Sequence, residues 1–336
     1  LISVIVPAYN AARTIGKCIE ALLDQSIPMS SYEIIVVDDS STDNTADIVQ
    51  RYEGVHLLLS HPRQGAAAVR NLGANFARGE ILLFTDADCV PTREWIEEMT
   101  RPFVDPNVVG VRGAYKTRQR ELVARFVQIE YEDRYERIHN PEGINFVDTY
   151  SAGYRKAIFD REGGFDVRIL IGEDIELSHR LVRRGYKLVF APKAVVCHHH
   201  VTSIWRYACR KWYIGFWRVA RYKMHPGFLV RDSHTPQVLK LQAFLGVVFV
   251  GTLLGAILVH QLVVWGVASG LLLVLSGVPF YVKALRKDLT VGLLSPVMLF
   301  VRGTALGLGF VAGTVNQMIG TIKPGGLQLQ RPGHWL

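Results

Sequence analysis

Cysteine is scarce and unclustered. The 336-residue chain has four, Cys18, Cys89, Cys197 and Cys209. No two form a C-x-x-C pair, which excludes a disulfide framework or a zinc knuckle and fits a reducing compartment. Charge is the second shortage. After Lys240 the chain is almost uncharged, whereas the first two thirds alternates apolar runs with charge. That asymmetry points to a soluble domain followed by a membrane part. No signal-peptide pattern precedes the first strand-like run, residues 2–7. The net charge of +8 raises nucleic acid as a partner, but no nucleic-acid motif accompanies it. Much of the excess lies between Arg206 and Arg231, interleaved with Trp and Tyr, the pattern of a collar facing lipid headgroups.

What the first part does contain is regular alternation. Residues 2–7, 33–38, 55–59 and 80–85 are short apolar runs that read as buried strands, and 11–25, 45–52 and 66–77 carry apolar residues at helical spacing. Strand-helix alternation predicts an α/β fold, a mostly parallel central sheet with helices on both faces, and ligands beyond the carboxyl ends of the strands. The polar clusters Tyr9-Asn10, Asp38-Asp39 and Asp86-Ala87-Asp88 fall at those ends. Downstream, 121–139 reads as a charged amphipathic helix and 150–165 as a Gly-rich irregular stretch. Gly172-Glu173-Asp174 opens a helix ending near Gly185, residues 186–191 form a strand, and 203–222 form a basic, aromatic helix.

Beyond Lys240, residues 241–259 and 262–282 are each long enough to cross a bilayer, which takes roughly 20 apolar residues, so a hairpin over 241–282 is predicted. Lys283, Arg286 and Lys287 follow it, and the excess of basic residues places them and the N-terminal domain on the cytoplasmic side. In the third hydrophobic segment, about 289–322, the run 291–301 is too short to span and is stopped by Arg302. Either 303–322 crosses, leaving Lys323 and Arg331 outside, or a re-entrant pair keeps them inside. The division predicted is 1–200 catalytic, 201–238 basic interfacial helix, 239–336 transmembrane.

Carboxylates clustered at strand ends repel one another, and a divalent cation relieves that cost. Asp86 and Asp88 can point into one pocket, where Mg2+ or Mn2+ suits carboxylate and phosphate oxygens. D-x-D by itself is a weak signal, since Asp also caps loops. Asp174 near a helix N-terminus has a similar plain explanation in the helix dipole. For His198-His199-His200, a polar strand exit is preferred over a metal ligand.

The motifs are not isolated. Val6-Pro7-Ala8-Tyr9-Asn10, Val37-Asp38-Asp39-Ser40-Ser41-Thr42-Asp43, Ala68-Val69-Arg70-Asn71-Leu72-Gly73, Thr85-Asp86-Ala87-Asp88 and Gly172-Glu173-Asp174-Ile175-Glu176-Leu177 follow in this order. Together they closely resemble the inverting family-2 glycosyltransferases of GT-A fold. The resemblance implies that Pro7, Tyr9, Asp39, Arg70 and Asp86 bind the nucleotide sugar (UDP- or GDP-linked). It implies that Asp88 ligates the metal and Asp174 is the catalytic base with Glu173 its neighbour. It places Gly153, in an acceptor-side loop, where substrate approaches closely. Processive members carry Q-x-x-R-W, which the stretch from Tyr207 to Trp212 lacks. The tail resembles bacterial exopolysaccharide transferases of the succinoglycan kind. Single-sugar transfer to a lipid-linked (polyprenyl-diphosphate saccharide) acceptor at the inner membrane is the expectation. Transfer to bare polyprenyl phosphate, or a non-catalytic nucleotide-sugar-binding scaffold, are the competing readings.

Overall fold

A computed structural model describes residues 1–138, 143–169, 172–224 and 236–319. The N-terminal part holds strands β1 (Ile2–Ala8), β2 (Tyr32–Asp38), β3 (Val55–Leu59), β4 (Ile81–Thr85), β5 (Cys89–Pro91), β6 (Val108–Lys116), β7 (Ser151–Arg155) and β8 (Lys187–His198). Its helices are α1 (Ile15–Leu23), α2 (Thr45–Val49), α3 (Ala66–Phe76), α4 (Trp95–Thr100), α5 (Leu122–Ile138), α6 (Lys156–Arg161) and α7 (Glu173–Arg183). Then follow α8 (Ile204–Met224), α9 (Gln237–Gly255), α10 (Leu262–Leu275), α11 (Val278–Lys287) and α12 (Leu289–Ile319).

The eight strands form one sheet in the order β3-β2-β1-β4-β7-β6-β8-β5. β3, β2, β1 and β4 are parallel, as their continuous apolar runs require of strands covered on both faces. The two-residue period sorts those faces: Val4, Val6, Ile34 and Val36 pack with α1 and α4, while Ile5, Ile35 and Val37 pack with α3 and α7. β7 runs antiparallel between β4 and β6. The mostly parallel α/β expectation holds for the sheet, with two departures. The stretch 150–165 is not irregular but contains β7 and α6, whose alternation is hidden by Gly153. The strand expected over 186–191 continues to His198, because its second half pairs with the end of β6 and with β5.

The C-terminal helices form a packed layer against α5. Val123, Phe126, Val127 and Ile129 of α5 share an apolar cluster with Tyr207 of α8, Tyr281 and Ala284 of α11, and Val291, Met298 and Leu299 of α12. α9 and α12 are long and apolar enough to cross a membrane, and α10 with α11 forms a third candidate span bent by 44°. Apolar side chains such as Leu258 (89% exposed) and Trp265 (66%) face outward, where a bilayer accounts for them.

Two expectations about this layer need correction. The span over 262–282 is broken at Ser276-Gly277, with Pro279 in the first turn of α11, where its missing N–H costs nothing. The segments 291–301 and 303–322 are not separate: α12 runs through Pro296 and Arg302 for 31 residues, about 46 Å at helical rise. Arg302 does not stop the helix because its charge is met by Glu130 and Gln242. Lys323 and Arg331 lie outside the described residues.

The basic helix α8 packs against both α5, through Tyr207 and Lys211 on Glu130, and α12. A Cβ on Gly309 or Gly313 of α12 would collide with the carbonyl oxygens of Trp212 and Phe216, so glycine lets the two backbones touch. Gly309→Ala should therefore lower the unfolding temperature in detergent, overpacking of this kind costing about 1–3 kcal/mol. Gly251→Ala, with nothing within 4 Å of its Cβ, should hold or raise it, since alanine is the better helix former by about 1 kcal/mol. Equal behaviour of the two variants would contradict the α8–α12 contact.

Candidate active site

The site lies beyond the carboxyl ends of β1, β2 and β4. Pro7 is the half-buried penultimate residue of β1, and Tyr9 follows the strand. Asp39 leaves β2 buried, and its carboxylate accepts from the backbone N–H groups of Gln64 (2.7 Å) and Gly65 (2.8 Å), the turn that starts α3. Arg63 lies 3.9 Å from Asp39 and stacks over the Tyr9 ring at 3.7 Å. Three strand-end segments thus form one wall. Arg63 had no signal in the sequence, since it sits in a loop without periodicity.

Arg70 is the centre of the site. Buried on α3, it donates through Nη2 to Asp86 at 2.7 Å and through Nη1 to Glu173 at 2.7 Å. One guanidinium on α3 therefore ties the end of β4 to the start of α7, whose Glu173 lies 103 residues beyond Arg70 in the chain. Burial opposes its charge, and the facing Asp86, Glu173 and Asp174 more than restore it. Gly172, at φ 91°, supplies the left-handed turn that delivers Glu173 and Asp174 to the site.

Asp174 accepts from its neighbour's backbone, Ile175 N–H, at 2.8 Å and from Thr149 N–H at 3.3 Å. Burial, then Glu173 and Asp148, push its carboxyl up to about 7, against the pull of Arg70. Asp148 is itself engaged by Arg112, which is fully buried in β6 and also donates to the Tyr150 hydroxyl at 3.1 Å. Neither residue was singled out from the sequence. The available signal was an arginine in the middle of an apolar strand, which demands a buried partner.

Asp88 faces His198 at the end of β8, Oδ2 to Nε2 at 3.3 Å. Burial disfavours the charged carboxyl, but the imidazole outweighs it and holds Asp88 below the usual carboxylate range. Among the described residues no three His, Cys, Asp or Glu side chains gather into a metal-holding group. Asp88 and His198 offer an oxygen and a nitrogen, a donor pair that fits a divalent ion whose remaining positions are filled by phosphate oxygens and water. Of the three histidines set aside in favour of a strand exit, His199 is exposed, His200 is buried and bonded to Gln119 through its backbone, and His198 stands beside Asp88.

Gly153 is in a different setting from the one expected. A Cβ there would meet Leu83 at 3.0 Å, Phe103 at 3.2 Å and Met99 at 3.3 Å. Its small size serves the packing of β7 against α4. Arg155, two residues on, donates to the carbonyls of Phe103, Asp105 and Val108.

A twisted α/β sheet with a parallel nucleotide-binding half, an antiparallel extension, and acidic residues gathered at the junction is the GT-A architecture of sugar-nucleotide-dependent transferases. Residues 3–163 match the family model "Glycosyl transferase family 2", and this part of the chain is a domain of that family. It is similar to the glycosyltransferase AglE of Haloferax volcanii, 31% identical over 59% of this chain and 66% of that one. It also matches the Methanococcus voltae dolichyl N-acetyl-α-D-glucosaminyl phosphate 3-β-D-2,3-diacetamido-2,3-dideoxy-β-D-glucuronosyltransferase, 25% identical over 60% of this chain and 68% of the relative. About a third of each relative thus lies outside the match. Among solved structures, the mannosyltransferase PcManGT of Pyrobaculum calidifontis, in complex with GDP-Man and Mn2+, superposes with a TM-score of 0.65 at 18% identity. That match covers 94% of this chain and 87% of the other, so the fold likeness extends beyond the sheet into the C-terminal helices.

Arg70→Met leaves Glu173 buried without its cation and should destabilise the protein by about 3–5 kcal/mol. Arg70→Lys keeps the charge but cannot hold two carboxylates in a fork, so it should recover only part of that loss. Thermal unfolding of both variants in detergent checks the ordering.

Proposed function

We propose that the protein is a metal-dependent inverting glycosyltransferase that moves one sugar from a nucleoside diphosphate sugar to a lipid-linked saccharide at the cytoplasmic face of the cell membrane. The observation that carries this reading is the Arg70 bridge, which sets Asp174, a carboxyl with a pKa of about 7, next to the Asp86 segment.

The donor half is assigned to Pro7, Tyr9, Asp39, Arg70 and Asp86. Tyr9, fixed by Arg63, offers a ring face to the base, and Asp86, one third exposed, offers a free oxygen to the ribose or sugar. Asp88 and His198 would hold Mg2+ or Mn2+, and the bound ion would neutralise charge gathering on the departing diphosphate. Asp174 takes the proton of the acceptor hydroxyl as that oxygen attacks the anomeric carbon. The new C–O bond forms as the bond to the diphosphate breaks, the nucleoside diphosphate leaves with the electron pair, and the anomeric centre inverts. Glu173, locked to Arg70, keeps Asp174 basic by its charge.

Support for the acceptor comes from α9 and α12, from the outward apolar side chains, and from the Methanococcus relative, a transferase named for a dolichyl N-acetyl-α-D-glucosaminyl phosphate acceptor. The PcManGT complex, with GDP-Man and Mn2+, supports a nucleotide sugar and a divalent ion. Support for the orientation comes from Lys283 and Lys287, which pair with Glu132, Asp133 and Glu136 of α5. The basic end of α11 therefore lies on the catalytic-domain side, as the charge rule wants of the cytoplasmic face.

Asp174→Asn should retain UDP or GDP binding with Mn2+ and lose transfer by at least about a hundredfold, the usual worth of a general base. In the wild type, kcat/KM should rise with pH through a midpoint near 7 as Asp174 loses its proton; near-normal turnover in the variant would remove Asp174 from the mechanism. Stability should move the other way. The folded pKa lies above the unfolded value of about 3.9, so the wild type loses stability as pH rises from about 4 through 7. Asp174→Asn does not ionise, so its advantage in unfolding temperature should grow between pH 5 and pH 8. A transfer assay with polyprenyl phosphate and with a polyprenyl-diphosphate saccharide separates the two acceptor classes. Product with bare polyprenyl phosphate alone would overturn the lipid-linked saccharide.

A further inference from the structure

Arg302 stands in the middle of α12, a helix long and apolar enough to span a membrane. A charge in such a place is expensive, and the identity of its partner indicates its purpose. The partner belongs to the catalytic domain. Arg302 donates through Nη1 to Glu130 of α5 at 2.6 Å, and through Nη2 to the Gln242 side chain of α9 at 2.6 Å. Gln242 donates onward to Ser276, at the break between α10 and α11, at 3.0 Å. Glu130 also accepts from the Tyr207 hydroxyl at 3.0 Å and from Lys211 at 3.2 Å, both on α8. Burial works against the Glu130 charge, and Lys211 and Arg302 overcome it, holding its carboxyl at about 2. One carboxylate thus joins α5 to α8 and α12, and through Gln242 to α9.

The neighbours of Glu130 on α5 reach toward the active site. Gln128 Oε1 lies 3.2 Å from His200 Nε2, and the Tyr131 ring stacks on the His200 ring at 5.6 Å with 8° between planes. Tyr131 meets Tyr115 edge-on at 5.1 Å, and Tyr115 stacks on His198 at 4.9 Å. His198 faces Asp88. Hydrogen-bond and ring contacts therefore run without a gap from the middle of α12 to the pair assigned to the divalent ion.

We propose that Arg302 is a positioning residue: by fixing Glu130 it sets α5, and through Tyr131, Tyr115 and His200 it sets the His198 ring against Asp88. The membrane helix thereby tunes how tightly the site holds a divalent ion. This rests on Asp88 and His198 being the ligands, and the test separates the two ideas. Mn2+ affinity is measured by electron paramagnetic resonance on the full chain in detergent, with UDP and with GDP. His198→Ala should weaken it by about tenfold or more; unchanged affinity there would overturn the ligand assignment itself. With that established, Arg302→Met and Glu130→Gln should each weaken it by roughly tenfold, the scale on which groups that orient metal ligands act. Arg302→Lys should return most of it. Because the effect passes through the His198 ring, the His198→Ala/Arg302→Met double variant should bind no more weakly than His198→Ala. Losses that multiply in the double variant, or a folded Arg302→Met with wild-type Mn2+ affinity, would overturn the proposal. Glu130→Gln, which leaves Arg302 bonded to Gln242, decides the matter should Arg302→Met fail to fold.

Discussion

Like charge brought together at one place is the constraint on which the rest of this structure depends. Asp86, Asp88, Asp148, Glu173 and Asp174 converge at the junction between the parallel and antiparallel parts of the sheet. Such a cluster is unstable without cations. Arg70 takes Asp86 and Glu173, Arg112 takes Asp148, and His198 stands against Asp88. Among the described residues no ion pair is made by Asp174, and burial, then the charges of Glu173 and Asp148, raise its pKa against the pull of Arg70. The two buried arginines pair with Asp86, Glu173 and Asp148, and Asp174, whose carboxyl is pushed up to about 7, can work as a base near neutral pH. Structural pairing and chemical basicity are two consequences of one charge arrangement.

A second shared element connects the catalytic domain to the hydrophobic layer. α5 contributes apolar residues to the cluster beneath the C-terminal helices, and its Tyr131 and Tyr135 pack against the core of the sheet domain. Its acidic residues pair with α8, α11 and α12. This divides the labour among forces. Apolar burial supplies attraction without direction, whereas the ion pairs of Glu130, Asp133 and Glu136 fix which helix meets which. Glycines on α12 then allow backbone contact on two sides, at Gly303 and Gly307 for α9 and at Gly309 and Gly313 for α8.

The first four strands were legible because each is a continuous apolar run flanked by turn residues, and a parallel sheet covered on both faces produces that pattern. Their order along the chain also located the strand ends, and with them Tyr9, Asp39, Asp86 and Asp88. β5, β6 and β7 were not read, because they are short or interrupted by glycine, and their pairing is set by partners far along the chain. Gly153 shows how a motif glycine can have a packing reason that periodicity does not display. Arg302 shows the converse: a charge that looked like a helix stop lies inside a helix, because a carboxylate 172 residues away neutralises it.

The sequence by itself determined what depends on local order: the strand-helix alternation, the polar strand ends, the motif series that resembles family 2, and the apolar segments able to enter a membrane. The tertiary structure decided what depends on distance. It joined Asp86 to Glu173 through Arg70, put His198 opposite Asp88, raised the basicity of Asp174, and merged two tail segments into one helix by supplying Glu130. Local propensity is written in neighbouring residues, but the energy of a charge is set by whatever the fold places within a few ångströms of it, and no spacing along the chain encodes that.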